Sequence, residues 1–236
     1  MLNLSAWPRI AGSPLQTVPL RSEHLARRST RMGLLLVAGL TLALLTSLRG
    51  ATSVDETIIE AVQSVLPSWY ADIGDFFNLF VRDTLIPLLW ASSVIWLLWL
   101  RRHDLAGMFV LTATVGLFTN LLKQTIDRPR PTGDFNILQF PTDPSFPSGH
   151  TMTAMAFFGL WFLLSPNVLP SWAVVPARVA CAGAVFFTGL SRMWAGAHWP
   201  SDVLGSLIWG SFFLLAVLST QPLLSRLNPP RSAASE

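Results

Sequence analysis

Six apolar runs, near residues 32–48, 84–100, 105–122, 149–164, 172–190 and 203–219, punctuate this 236-residue chain. Each approaches the ~20 residues needed to cross a hydrocarbon core. Inside a bilayer every backbone N–H and C=O must find a partner within the protein, so a crossing segment is either a helix or a strand of a closed barrel. None of the runs shows the strict alternation of a barrel strand, so the sequence predicts an all-α polytopic membrane protein, a six-transmembrane-helix bundle. Composition agrees: 51% of the residues are hydrophobic and 12% charged, against ~25% charged in an ordinary soluble domain.

Arginines outside the runs orient the bundle. Arg9, Arg21, Arg27, Arg28 and Arg31 precede the first run, Arg101 and Arg102 separate the second from the third, and Arg226 and Arg231 follow the last. With an even number of crossings these segments fall on one side, which the positive-inside rule makes cytoplasmic. The expected organisation is a cytoplasmic tail over 1–31, a membrane domain over 32–219 and a second cytoplasmic tail over 220–236, in a bacterial inner (plasma) membrane. The lead of Pro8, Pro14 and Pro19 before the first run is too long for an ordinary cleaved signal peptide, so the first span is read as retained. A pI near 10.0 raises the question of nucleic acid, but the arginines are dispersed and form no basic aromatic stripe, so no nucleic acid is expected. No obligate protein partner is expected either, and lone Cys181 sits within a run and supports no internal disulfide.

Between the first two runs, residues 50–83 are too polar to cross. Val54, Ile58, Ile59, Val62 and Val65 recur at helical spacing beside Asp55, Glu56 and Glu60, the pattern of an amphipathic helix lying at the membrane interface. Trp69, Tyr70, Phe76 and Phe77 suit the headgroup level. A lid over a site and a plain connector are both open readings, the connector being the commoner role of such a loop.

Three polar clusters interrupt the apolar chain, and this topology delivers all of them to the extracytoplasmic surface. The first contains the only lysine, Lys123, and Arg130-Pro131; the second is Pro147-Ser148-Gly149-His150; the third runs from Ser191-Arg192 through His198 to Asp202. Ionisable groups beside membrane spans are costly unless they face water or one another, so a set this rich in cations points to an anion site, with phosphate the obvious anion. Lysine supplies a point charge and arginine a planar fork for two phosphate oxygens, although snorkelling at a helix end accounts for either residue alone. Ser148 stands where an N-cap belongs, ahead of a long apolar run, and the amides of Gly149 and His150 would then face an anion with the helix dipole behind them. Capping alone also explains the serine. His198 lies four residues before Asp202, with Pro200 opening the last helix. A carboxylate there can accept from one imidazole nitrogen, fix the tautomer and leave the other nitrogen to attack; a helix-capping aspartate beside an interfacial histidine is the simpler alternative.

Taken together, K-x6-R-P at Lys123–Pro131, P-S-G-H at Pro147–His150 and S-R-x5-H-x3-D at Ser191–Asp202 resemble the signature of the type 2 phosphatidic acid phosphatase family. These are integral-membrane lipid phosphatases that share an active site with vanadium haloperoxidases. Arg128-Pro129 offers a second arginine-proline pair, and Arg130 is the one at the family's spacing. The resemblance implies that His198 attacks phosphorus to form a phosphohistidine, with Asp202 orienting it, and that His150 protonates the leaving oxygen and then activates water. It further implies that Lys123, Arg130, Ser148, Gly149 and Arg192 hold the phosphate oxygens. The implied substrate is a lipid phosphate taken from among the membrane lipids, with undecaprenyl pyrophosphate and phosphatidylglycerol phosphate foremost. No carboxylate cluster resembles a magnesium site, so no cofactor or metal is expected. A lipid phosphotransferase and a non-catalytic lipid-phosphate binding or transport protein remain as alternatives.

Overall fold

The computed structural model describes residues 22–66, 70, 85–138 and 143–227. These form nine α-helices and one short 3₁₀ turn, with no strand among them. In chain order the helices are α1 (Ser22–Arg49), α2 (Ser53–Val65), α3 (Leu85–Trp99), α4 (His103–Thr112), α5 (Val115–Ile126), α6 (Gly149–Val168), α7 (Ser171–Trp194), α8 (Pro200–Ser219) and α9 (Gln221–Leu227). Residues 1–21 and 228–236 of the expected tails over 1–31 and 220–236, and Trp69, Phe76 and Phe77 of the expected interfacial segment, lie outside the described residues.

Among the described residues, five helical stretches are long and apolar enough to cross a membrane: Arg27–Arg49, His103–Ile126, Gly149–Val168, Ser171–Trp194 and Pro200–Leu224. Leucines and other large apolar side chains remain exposed along them, among them Leu34, Leu44, Leu117, Val175 and Phe186. In water that surface would be unfavourable, whereas acyl chains solvate it, and the protein is an integral membrane protein. The run expected over 84–100 differs from the other five. Its helix, α3, has 15 residues, or about 22 Å at 1.5 Å per residue, which is short of a full crossing; residues 71–84 before it lie outside the described residues.

The run expected over 105–122 forms two helices that meet at Ala113–Thr114. The Thr112 hydroxyl donates to the Phe109 carbonyl at 2.9 Å and that of Thr114 to the Leu111 carbonyl at 2.7 Å. Hydroxyls that bond back to the preceding turn compete with the helical ladder and bend it. At the other end of the first crossing, α1 begins at Ser22, ahead of the apolar run itself.

Helix α6 is central and packs against α4, α5, α7 and α8, while α1 closes the bundle against α8 and α5. The core about α6 contains Trp90, Leu97, Leu105, Met108, Phe109, Met152, Phe157 and Leu160, all buried. Where α1 meets α8, a Cβ on Gly39 would lie 2.8 Å from the Trp209 ring, so a small residue permits the close approach.

Within the segment expected over 50–83, helix α2 covers Ser53–Val65. It opens with a capping box in which Thr52 accepts from the Asp55 amide and Asp55 accepts from the Thr52 amide. Only Ile59 of its apolar positions is fully buried, and Val54 and Val65 stay exposed. The helix packs on α7 and α8, and Gln63 donates to the carbonyls of Phe135 and Trp194 at 2.9 and 3.1 Å. Tyr70 is buried edge-on against Trp194, with ring centroids 5.9 Å apart.

Candidate active site

Lys123 occupies the last turn of α5, which ends where Asp127 takes a left-handed conformation (φ 43°). The alternating prolines of Arg128-Pro129-Arg130-Pro131 then exclude helix. This extended stretch is held from two sides. Ser145 donates its amide to the Arg128 carbonyl at 2.7 Å and its hydroxyl to the Pro129 carbonyl at 3.1 Å, and the Trp199 indole donates to the same Pro129 carbonyl at 3.0 Å. The clamp brings the 123–131, 145–150 and 192–202 segments together.

The two arginines have different destinations. Arg130 reaches into the cluster: one terminal nitrogen, Nη1, donates to the Ala197 carbonyl at 2.6 Å and lies 3.3 Å from His198 Nε2. The other edge of its fork meets Asp143, with Nε–Oδ1 at 3.0 Å and Nη2–Oδ2 at 2.8 Å. Lys123 Nζ approaches the same carboxylate at 3.5 Å and also donates to the Pro144 carbonyl. Arg128 turns away and is buried behind the site. It donates to Asp55 at 2.7 Å, to the Gly50 carbonyl at 2.9 Å, to the Ser201 hydroxyl at 2.8 Å and to Asp202. Asp55 also accepts from the Ser201 amide and hydroxyl at 2.9 and 2.7 Å, so α2, the Arg128 segment and the start of α8 form one buried network.

His198 follows the tight turn that ends α7. Its amide and that of Ala197 return to the Arg192 carbonyl. At Gly196, φ is +71°, and a Cβ would lie 1.8 Å from the Phe135 carbonyl oxygen, so no side chain fits there. The imidazole is buried. Its Nδ1 lies 2.8 Å from the Ser145 carbonyl. A carbonyl only accepts, so Nδ1 carries the hydrogen and the Nε2 lone pair faces Arg130.

Asp202 is the carboxylate expected to orient His198. Its Oδ2 stands 3.7 Å from Nδ1, outside hydrogen-bond range, and instead accepts from the Trp199 amide at 2.9 Å. The reason is local. Asp202 is the third residue of a helix that starts at Pro200, where a carboxylate folds back onto the entering chain, and Arg128 holds its other oxygen. The Ser145 carbonyl is the group that fixes the tautomer.

Ser148 precedes α6 as expected, but its side chain makes no capping bond. Fully buried, its hydroxyl accepts from Thr151 at 3.1 Å, and its carbonyl accepts from Ser206 at 3.1 Å. Phe146 fixes this segment by inserting against Gly205 of α8, where a Cβ would come within 2.3 Å of the ring. Gly149 and His150 then open α6, and around Gly149 a Cβ would meet only Thr119, at 3.9 Å. Arg192 lies in the last turn of α7 and is buried. Asp143 links Lys123 to Arg130, Arg130 approaches His198 at 3.3 Å and His198 lies 3.7 Å from Asp202; Ser148, Gly149 and His150 follow Ser145 on the same segment, and the Arg192 carbonyl accepts from the His198 amide. Sequence reasoning missed Arg128, Asp143, Ser145 and Asp55. The duplicated arginine-proline pair was the one available signal for Arg128. Among the described residues no group of three His, Cys, Asp or Glu side chains is placed to hold a metal ion.

Burial pushes the His198 imidazole down to about 4; Asp202 opposes the shift without cancelling it, and Arg130 and Arg192 add to it. The ring is therefore neutral at pH 7, the state a nucleophile requires. Because the folded value lies below the unfolded value of ~6.5, the unfolded chain binds the proton first as pH falls. This contribution to stability is complete above about 6.5 and is lost toward pH 4. Thermal unfolding in detergent across pH 7.5 to 4 is expected to show a smaller decline for His198→Gln than for the parent. Parallel declines would mean that His198 titrates normally.

Comparison with known proteins places this arrangement among relatives. The model of the PAP2 superfamily matches residues 104–226. The lipid A 1-phosphatase of Rhizobium etli is 37% identical over 119 residues, covering 46% of this chain and 47% of that protein. Undecaprenyl-diphosphatase BcrC of Bacillus subtilis is 35% identical over 113 residues, covering 46% and 52%. The chain thus spans about half the length of these curated relatives. Among solved structures, a transmembrane PAP2-type phosphatidylglycerolphosphate phosphatase from Bacillus subtilis superposes with a TM-score of 0.71 at 22% identity, covering 84% of this chain and 99% of that one. At that identity the likeness is one of fold.

Proposed function

This chain belongs to the PAP2 superfamily, and from that premise we propose that it is a metal-independent lipid phosphatase that removes the terminal phosphate of a lipid phosphate or pyrophosphate. The observation that carries this reading is the state of His198: Nδ1 is committed to the Ser145 carbonyl, and Nε2 faces the Arg130 guanidinium 3.3 Å away. A nucleophile whose lone pair opens onto a fixed cation suits attack on an anionic phosphorus centre.

In the proposed reaction Nε2 forms a bond to phosphorus as the bond to the lipid oxygen breaks opposite it, and His150 gives that oxygen its proton. Water, deprotonated by His150, then attacks the phosphohistidine; the P–N bond breaks, inorganic phosphate leaves and His198 returns neutral. Lys123, Arg130 and Arg192 hold the equatorial oxygens together with the Gly149 amide and the Ser148 hydroxyl. Charge spreads over those oxygens in the transition state, which is where fixed cations contribute most. Asp202 stabilises the cationic ring by charge at 3.7 Å, leaving tautomer choice to Ser145.

The relatives, a lipid A 1-phosphatase, an undecaprenyl-diphosphatase and a phosphatidylglycerolphosphate phosphatase, support a terminal phosphate on a lipid as the common chemistry. Undecaprenyl pyrophosphate and phosphatidylglycerol phosphate are the substrates proposed first, and lipid A 1-phosphate joins them on the strength of the Rhizobium relative. Six crossings are proposed, with α3 supplying the second, α2 at the interface, both termini cytoplasmic and the site extracytoplasmic. A cysteine at exposed Thr132, in a Cys181→Ser background, is then labelled by an impermeant thiol reagent in intact cells; labelling only after lysis would overturn this orientation.

The test of function is phosphate release by the purified protein in chelator from the three lipids. Release without added metal is expected. No release from any of them by folded protein would reject the phosphatase reading, and a requirement for restored magnesium would reject metal independence.

A further inference from the structure

Two of the three cations assigned to phosphate, Lys123 and Arg130, are already engaged by a carboxylate. Asp143 faces the Nε/Nη2 edge of Arg130 through both its oxygens, at 3.0 and 2.8 Å, and its backbone carbonyl accepts from the same Nε at 3.1 Å. Lys123 Nζ stands 3.5 Å from Oδ2. A carboxylate spread across the planar edge of a guanidinium occupies the place that two phosphate oxygens would take. Lys123 and Arg130 are largely buried, with 18% and 10% of their side chains exposed, whereas that of Asp143 is 49% exposed. The anion is therefore the member of the trio that can swing into water while the cations stay in place.

We propose that Asp143 sets an affinity threshold for the site: an internal counter-anion seated on Lys123 and Arg130 that weakens every anion by the same factor, so that a dianionic terminal phosphate still displaces it and a more weakly held monoanionic phosphodiester headgroup does not. The inference rests on the phosphatase reading above. Its physical basis is charge exchange. A phosphate monoester carries about −1.5 to −2 near pH 7 and offers three strong acceptor oxygens. Replacing one carboxylate with it adds negative charge between two cations. A diester carries a single negative charge, so the exchange leaves the charge unchanged and adds the cost of freeing Asp143. A site at a membrane surface is surrounded by diester headgroups, and this competitor keeps them off the cations.

Asp143 is in the right state to compete. Burial alone would push its carboxyl up, but the hydrogen bond and charge of Arg130, with Lys123, outweigh that and hold it below the ordinary aspartate value. It is ionised throughout the neutral range.

The experiment uses the full chain in detergent and compares the parent with Asp143→Asn and Asp143→Glu. Inorganic phosphate binding is followed by calorimetry at pH 7.5, and turnover is followed in micelles with a rising fraction of phosphatidylglycerol. Asp143→Asn is expected to bind phosphate about fivefold tighter, the scale of a partly exposed ion pair. It is also expected to be inhibited at about a fivefold lower fraction of phosphatidylglycerol, while Asp143→Glu keeps the competing charge and stays near the parent. Should the asparagine variant not fold, Asp143→Ser provides the same two readings. Unchanged or weaker phosphate binding without the carboxylate, or unaltered sensitivity to phosphatidylglycerol, would overturn the proposal. A parent that hydrolyses no lipid phosphate would instead count against the phosphatase reading, because the binding arm needs no turnover.

Discussion

His198→Ala is expected to lower phosphate release by more than about 10⁴-fold, the scale on which loss of an enzyme nucleophile falls, while the protein still folds and inserts. Removing one charge-stabilising donor from such a site costs less, ~10²–10³-fold, so the histidine variant is expected to fall well below Arg130→Ala. The difference follows from their roles. Without Arg130 the remaining cations still hold the phosphate, whereas without Nε2 no atom in the site can take the phosphoryl group. Folding is expected to survive because the imidazole makes two hydrogen bonds, donating to the Ser145 carbonyl and accepting from Arg130 Nη1, and each such bond contributes about 1 kcal/mol net. Two measurements check this: phosphate release from a lipid phosphate, and ³¹P detection of an acid-labile phosphoramidate in rapidly quenched parent enzyme. Near-parental turnover by a clean His198→Ala preparation would refute covalent catalysis at this residue.

The parts legible in the sequence are those that depend on periodicity and on strong local signals. The apolar runs near 149–164, 172–190 and 203–219 predict the helices found over 149–168, 171–194 and 200–219 to within a few residues at each end. The expectation that Lys123, Arg130, His198 and Asp202 share one face rests on an even number of crossings; in the structure the bonds of Ser145 and Trp199 to the 128–129 backbone draw their segments together. What was not legible depends on contacts between distant segments. A backbone carbonyl has no sequence signature, so Ser145 could not be foreseen as the partner of Nδ1, and spacing alone suggested Asp202 instead. Asp143 stood out no more than any other loop aspartate until Arg130 and Lys123 were seen around it. Asp55 read as one acid on the polar side of an amphipathic helix, yet it is buried because the partner that neutralises it lies 73 residues away. The bend at Ala113–Thr114 arises from side-chain bonds within a run that is continuous in hydropathy.

Arg128→Met is expected to destabilise the protein by about 3–5 kcal/mol, because removing one member of a buried ion network leaves the other charges uncompensated. The arginine is almost completely buried, at 1% exposed, and bridges two buried carboxylates, Asp55 and Asp202, from different helices. Its four acceptors are Asp55, Asp202, Ser201 and the Gly50 carbonyl, a set that a planar fork can satisfy and a lysine ammonium, with three donors on one atom, cannot. Arg128→Lys is therefore expected to recover only part of the loss. Asp55 shows the same coupling from the other side. Burial pushes its carboxyl up, but hydrogen bonds from Ser201 and the charge and hydrogen bond of Arg128 outweigh that and hold it below its ordinary value. With the folded value depressed, its stabilising contribution is present above the unfolded value of ~3.9 and is lost as pH falls through the folded one. Asp55→Asn combined with Arg128→Met is expected to be less damaging than the sum of the two single changes, since each removes a charge that the other leaves stranded. Thermal unfolding of the four proteins in one detergent at neutral pH decides the matter. A loss under about 1 kcal/mol for Arg128→Met, or simple additivity with Asp55→Asn, would mean that the helices carrying Asp55 and Asp202 are held by packing and not by this arginine.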